Sequence, residues 1–409
     1  MQENSAQHTA TTQPAHALPP LSKRAQESNP FRAMAIGEEA DRMIAKGIDV
    51  VKLSLGEPDF GAPQAVRDAM REQCDGRPLP YTAALGIPEL REAIARFYEQ
   101  RHHVQLDPKR VAITEGGSAA LLLALALTVN EGDDVICADP SYPCNRELVR
   151  TFGGNIIDVP TTAATRFHLN ADLLNAYWTP RTRAVMVTSP SNPAGTSIAF
   201  EALQGVCDTA RARNAWRIVD ETYLDLADAE PDGSDVRSVL SADSDAIVVS
   251  SFSKYWGMTG WRLGWAVLPE AILHEADNLA TNYFLCAHTP TQHAALACFT
   301  PQTLEECERR RQELLVRRGL ALDGLAGIGL PVEVEPNGAF YAYFNVSSTG
   351  LDAWDFCERA LREAHVALTP GADFGPATAH THVRLSYAAS REAISEGIAR
   401  VGRFLKTLR

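Results

Sequence analysis

The stretch SSFSKYWGMTGWRLGW, residues 250–265, places an amine at Lys254 and a guanidinium at Arg262 around one turn that follows an apolar run. A lysine amine freed of its charge is a nucleophile and a proton carrier, and an arginine fork grips phosphate or carboxylate through paired N–H donors. Taken alone, one lysine in a serine-rich turn is an ordinary solvated charge. A second stretch, TEGGSAALLLALALTV, sets Gly116 and Gly117 between a short strand and an apolar helix. Free N–H groups and the positive end of the helix dipole point the same way there. The turn is therefore a candidate phosphate cradle, although a plain strand-to-helix bend has the same pattern.

Periodicity predicts the elements that must hold these residues. Short apolar runs at 50–55, 111–114, 135–138, 155–159, 184–188, 217–220 and 246–250 read as strands. Helical patterns at 29–46 and 64–74, from Pro88, after Gly117, and at 200–213 alternate with them. That alternation indicates βαβ units and a mostly parallel sheet. Ligands in such sheets lie beyond the carboxyl ends of the strands, where Gly117, Tyr142, Asn192, Asp220 and Lys254 all fall. After Pro269 the character changes to helices at 290–298 and 304–322, strands at 332–335, 339–344 and 383–387, and helices at 353–363 and 391–408. This is the pattern of a smaller α+β part. The expected organisation is a disordered arm (1–28), a segment joining the small domain (29–59), a large domain (60–300) and a small C-terminal domain (301–409).

The chain of 409 residues carries 38 basic and 51 acidic side chains, a net charge of −13 that disfavours nucleic acid or an anionic membrane as partner. Its eight cysteines have neither CxxC nor metal-ligand spacing, so no disulfide framework or zinc site is expected and a reducing cytoplasm fits best. His288, His380 and His382 show no metal spacing and read as loop histidines. No apolar run reaches the roughly 18 residues of a membrane span, and the first residues lack the basic start and apolar core of a signal peptide.

The motifs LSLGEPDF, YTAALGIPELREA, TEGGSAAL, DPSYP, SPSNPAGT, IVDETY, SFSKYWGMTGWRLGW, GAFYAYF and HVRLSYA occur in one order after about Asn29. In that order the chain resembles the fold type I, pyridoxal-phosphate-dependent aminotransferases of class I/II, the aspartate aminotransferase-like group. The resemblance implies an α/β fold, with a large domain built on a mixed, mostly parallel seven-stranded sheet flanked by helices and a smaller α+β domain. It also implies pyridoxal 5'-phosphate as cofactor and a homodimer with shared active sites.

By the same resemblance Lys254 would carry a Schiff base and then move the proton at the substrate Cα. Asp220 would pair with the pyridine nitrogen, Tyr223 and Asn192 would bond the phenolic oxygen, and Tyr142 would stack on the ring. Gly117, Ser118, Ser251 and Arg262 would hold the phosphate, joined by Tyr81 from a neighbouring subunit, with Ser253 bordering the lysine. Arg384 would bind the substrate α-carboxylate, with Gly56 and Asn192 beside it. The stretch CAHTPTQ, 286–292, matches a region that lines the partner's site.

The resemblance thins at substrate choice. Some relatives that act on dicarboxylic amino acids have a lysine where this chain has Ser118. Arg32 could replace that cation or be an exposed helix-start residue. Met34 and Ile36 suggest an apolar pocket wall, or packing. The implied activity is transfer of an amino group from an L-amino acid to a 2-oxo acid, 2-oxoglutarate or pyruvate, by a ping-pong cycle. A C–S lyase or decarboxylase on the same fold is the alternative. A non-enzymatic regulator is disfavoured, because the arm is too short for a DNA-binding domain and the charge is wrong.

Overall fold

The computed structural model describes residues 19–27, 32–229 and 236–408, with side chains described for 19–26, 35–229 and 236–408. Two units are distinguished, Met1–Pro30 and Phe31–Arg409. In the first, a stretch expected to lack structure forms the helix Lys23–Glu27.

Twelve strands occur among the described residues, and all lie in the second unit. They are β1 (Val51–Lys52), β2 (Val111–Thr114), β3 (Asp134–Asp139), β4 (Asn155–Pro160), β5 (Thr182–Thr188), β6 (Trp216–Asp220), β7 (Ile247–Ser251), β8 (Gly264–Val267), β9 (Tyr341–Asn345), β10 (Val366–Ala367), β11 (Thr369–Pro370) and β12 (His382–Ser386). Seven of them form one sheet in the order β2-β8-β7-β6-β5-β3-β4. Neighbours from β7 to β4 run parallel, and β8 is antiparallel to both β7 and β2. The α/β architecture with a mixed, mostly parallel seven-stranded sheet is thus present.

Apolar side chains leave both faces of this sheet, as helix cover on both sides requires. Val135, Cys137, Ile218, Ile247 and Val249 pack in one core with Leu121, Leu123 and Leu125 of the helix Gly116–Thr128. Ile136, Val185, Val187, Val219 and Val248 point into the other. The Gly116–Thr128 helix is apolar around most of its surface because it is buried, and Gly116 begins it at φ +79°, a conformation that suits glycine.

A three-stranded antiparallel sheet, β11-β12-β9, forms the second layer of the site, with Arg384 in the central strand opposite Thr369 and Tyr343. β1 pairs in parallel with β10, and Ser386 N–H donates to Leu53 C=O at 2.7 Å, so backbone bonds tie residues 51–53 to the C-terminal part. The strand expected at 332–335 is absent except for a single bridge, Val332 to Phe344. Pro331 and Pro336 flank it and cannot donate to a ladder. β8 lies inside the stretch read from sequence as a lysine loop, and His382, read as a loop histidine, is a buried β12 residue. Its ring stacks on Tyr343 and it bonds Glu333 at 3.0 Å.

Candidate active site

The carboxyl ends of β6 and β7 deliver Asp220 and Ser251 to one side of a cavity of about 350 Å³. Gly264 makes this approach possible. A Cβ there would stand 2.7 Å from Ser250 C=O and 2.8 Å from Gly117 N, so any side chain would push the glycine turn off the sheet. The cavity brings together Gly56, Gly117, Ser118, Tyr142, Asn192, Asp220, Tyr223, Ser251, Ser253, Lys254, Arg262 and Arg384, all singled out from the sequence.

Lys254 is half-buried and donates from Nζ to Gly56 C=O at 2.7 Å, with the amine 5.8 Å from the centre of the Tyr223 ring. Burial lowers its pKa to about 8; Glu57 opposes the shift, and Arg262 and Arg384 add to it. About a tenth of the amine is therefore neutral at pH 7, far more than for an ordinary lysine, and the neutral form is the one a nucleophile or base requires. Asp220 is buried and accepts from Thr222 N–H at 3.0 Å. Burial nonetheless raises its pKa, against the Thr222 hydrogen bonds and the charge of Lys254, so a further cation placed against it would restore the carboxylate form.

Tyr223 and Tyr341 share a hydroxyl hydrogen bond of 2.7 Å, and burial pushes the Tyr223 phenol well above its ordinary value. Burial raises the Tyr142 phenol as well; the residue sits at the start of the helix Pro143–Thr151.

Arg384 is 3% exposed. One Nη donates to Asn192 Oδ1 at 2.7 Å, and the other donates to Ser54 C=O at 2.8 Å and Thr369 Oγ1 at 3.2 Å. Its guanidinium carbon lies 4.4 Å and 5.0 Å from the Tyr341 and Phe374 ring centres, and Nε is buried with no hydrogen-bond partner among the described residues. The fork is held by these bonds without a carboxylate partner among the described residues, as an anion receptor should be.

Arg262 adopts φ +51° and donates to Thr259 C=O at 2.8 Å. Its other Nη lies 2.5 Å from where a Cβ on Gly116 would stand, so the guanidinium seats directly against the glycine turn. It forms no ion pair among the described residues. Ser251 Oγ donates to Ser253 Oγ at 2.8 Å and accepts from Ser253 N–H at 3.0 Å.

Tyr81 stands apart: it is 78% exposed and does not line the cavity. The 286–292 stretch is tied to its segment, because Thr289 Oγ1 donates to Pro80 C=O and Gln292 Nε2 to Thr82 Oγ1, each at 3.0 Å. Of the two readings offered for Ile36, pocket wall or packing, it is packing that holds. Ile36 is buried in the core, and the adjoining cavity wall is Gly37, Glu38 and Asp41. The side chains of Arg32 and Met34 lie outside the described residues.

Residues that sequence reasoning missed are Glu38, Asp41, Lys52, Ser54, Thr188, Thr222 and Tyr341. Tyr341 lies in GAFYAYF, but nothing local separates it from Tyr343, which bonds Thr378 instead. Among the described residues no group of acidic, His and Cys side chains could hold a metal ion, and no helix is long and apolar enough to cross a membrane.

A helix start with an adjoining arginine at one end, a buried carboxylate that forms no ion pair among the described residues, and a half-buried amine suit a ligand that is anionic at one end and cationic in its ring. Comparison with known proteins agrees with that chemistry. The family model "Aminotransferase class I and II" matches residues 48–401. The valine–pyruvate aminotransferase of Mycobacterium tuberculosis is 38% identical, over 92% of this chain and 96% of that protein. The aspartate aminotransferase of Pyrococcus abyssi is 33% identical, over 89% and 94%. A crystal structure of an aminotransferase from Mycobacterium tuberculosis superposes with a TM-score of 0.91 at 36% identity, covering 95% of this chain and all of that one. The chain belongs to the class I and II aminotransferases, a family of fold type I that uses pyridoxal phosphate, and it is an aminotransferase.

Proposed function

We propose that the chain moves the amino group of an L-amino acid to a 2-oxo acid, pyruvate or 2-oxoglutarate, with pyridoxal 5'-phosphate held in this cavity. The observation that carries the reading is the convergence of the Lys254 amine, the buried Asp220 carboxylate and the Arg384 fork on one cavity from separate sheets. When bound, the cofactor supplies an aldehyde and a ring that draws electron density from the substrate Cα.

Gly117, Ser118, Ser251 and Arg262 would hold its phosphate, and Asp220 its ring nitrogen. Asn192 and Tyr223 would reach its ring oxygen, and Tyr142 its face. Lys254 is the group placed to take a proton from the substrate Cα and return one, since burial brings its amine down to about 8. Arg384, beside Gly56 and Asn192, would orient the substrate through its α-carboxylate.

The exposure of Tyr81 suits a role in a second copy of the chain, giving a homodimer with shared sites. The parts 60–300 and 301–409, the latter joined by 29–59, are the two domains of this reading, and the free cysteines suit the cytoplasm. The test is a panel of amino donors in half-reactions followed by cofactor absorption. A donor alone should convert the cofactor spectrum, and pyruvate or 2-oxoglutarate added afterwards should restore it. Release of ammonia, sulfide or carbon dioxide without any oxo acid would overturn the reading.

A further inference from the structure

Among the described residues four basic side chains line the cavity: Lys52, Lys254, Arg262 and Arg384. Lys254 and Arg262 stand at the lysine and glycine-turn end. Arg384 is the α-carboxylate receptor of the proposed aminotransferase, and the role of the cavity mouth rests on that assignment. Lys52 is the cation left for a substrate side chain among the described residues, yet its Nζ is paired with Asp41 Oδ1 at 2.8 Å. Glu38 lies one helical turn before Asp41 and also lines the cavity, with no ion pair among the described residues. Glu38, Asp41 and Lys52 therefore sum to one negative charge at the mouth, and Ser118 adds no positive one.

The second, independent observation is the Arg384 fork itself, which is buried, lines the same cavity and has no carboxylate partner among the described residues. One carboxylate has a built receptor here, and a second would meet a net negative wall.

We propose that Glu38, together with cancellation of Lys52 by Asp41, is a charge filter that selects amino and oxo acids carrying no carboxylate beyond the one taken by Arg384. A distal carboxylate approaching Glu38 is repelled through partly screened solvent, which amounts to a roughly three- to tenfold loss of affinity per unpaired charge. Neutral side chains meet no such penalty. The physiological pair is then a monocarboxylic donor with a monocarboxylic oxo acid such as pyruvate.

The test is calorimetric binding of propionate and succinate to the holoenzyme, with pyruvate and 2-oxoglutarate kinetics alongside. The wild type should bind propionate at least as well as succinate and should show the higher kcat/KM with pyruvate. Glu38→Gln should raise the succinate-to-propionate affinity ratio roughly three- to tenfold. Asp41→Asn, which frees Lys52, should raise it in the same direction. A wild type that binds succinate tenfold more tightly than propionate overturns the filter, as does a ratio unmoved in both variants. Tight succinate binding abolished by Arg32→Gln overturns it as well, by identifying another receptor. Arg384→Lys should weaken both ligands together; if it weakens neither, the assignment of Arg384 fails, and not the filter alone.

Discussion

At the floor of the cavity Asp220 and Ser251 end parallel strands and Lys254 follows in the next turn, whereas at the mouth Glu38 and Asp41 ride on the polar face of a helix. The floor groups are buried or half-buried, and burial moves Lys254 down to about 8 and Asp220 up. At the mouth, the Lys52 and Asp41 side chains are 24% and 65% exposed, and their pair is screened by water. Chemistry that needs shifted pKa values belongs at the floor, where moving one backbone atom disturbs the rest. Selectivity can sit at the mouth, where a charge can change without disturbing the sheet.

Substitutions should separate the two regions. Lys254→Ala should lower the transamination rate on the order of 10⁴-fold, measured in single-turnover half-reactions, because both nucleophile and proton carrier are removed. Arg384→Lys should lower kcat/KM about a hundredfold, mainly through KM, since an ammonium cannot grip a carboxylate bidentately.

Cofactor uptake by the apoprotein should rise about tenfold from pH 7 to pH 9 and level off above, as the Lys254 amine loses its proton through about 8. The sign follows from nucleophilicity residing in the neutral form. A rate still climbing toward pH 10.5 would mean that burial does not govern this lysine. Gly264→Ala should destabilise the fold by about 1–3 kcal/mol in denaturant titrations, because its methyl would overlap the Gly117 amide. Asp41→Asn, at the mouth, should change stability by less than ~1 kcal/mol.

The same contrast explains what could be read from the sequence. Asp220, Asn192 and Lys254 follow apolar runs and precede turn residues, so their place at strand ends follows from alternation alone. The mouth was legible only in part. Ile36, Ala40 and Met43 recur at helical spacing and are all buried, which turns Gly37, Glu38 and Asp41 toward another face. That this face borders the cavity depends on β1 pairing with β10, a contact across more than 300 residues that no local pattern encodes. β8 escaped notice because its four residues run on from the lysine turn without a break in composition, and its antiparallel direction is set by neighbours distant in sequence. Residues 332–335 misled in the opposite sense: alternation was present, but prolines at both ends left one bridge.

Lys254 is the residue on which the cofactor would be held. Borohydride reduction of the holoenzyme, followed by proteolysis and mass spectrometry, tests that assignment directly. The prediction is one pyridoxyl phosphate group per chain, on the peptide containing Lys254; the same group on Lys52 or another lysine, or no group at all, would contradict it.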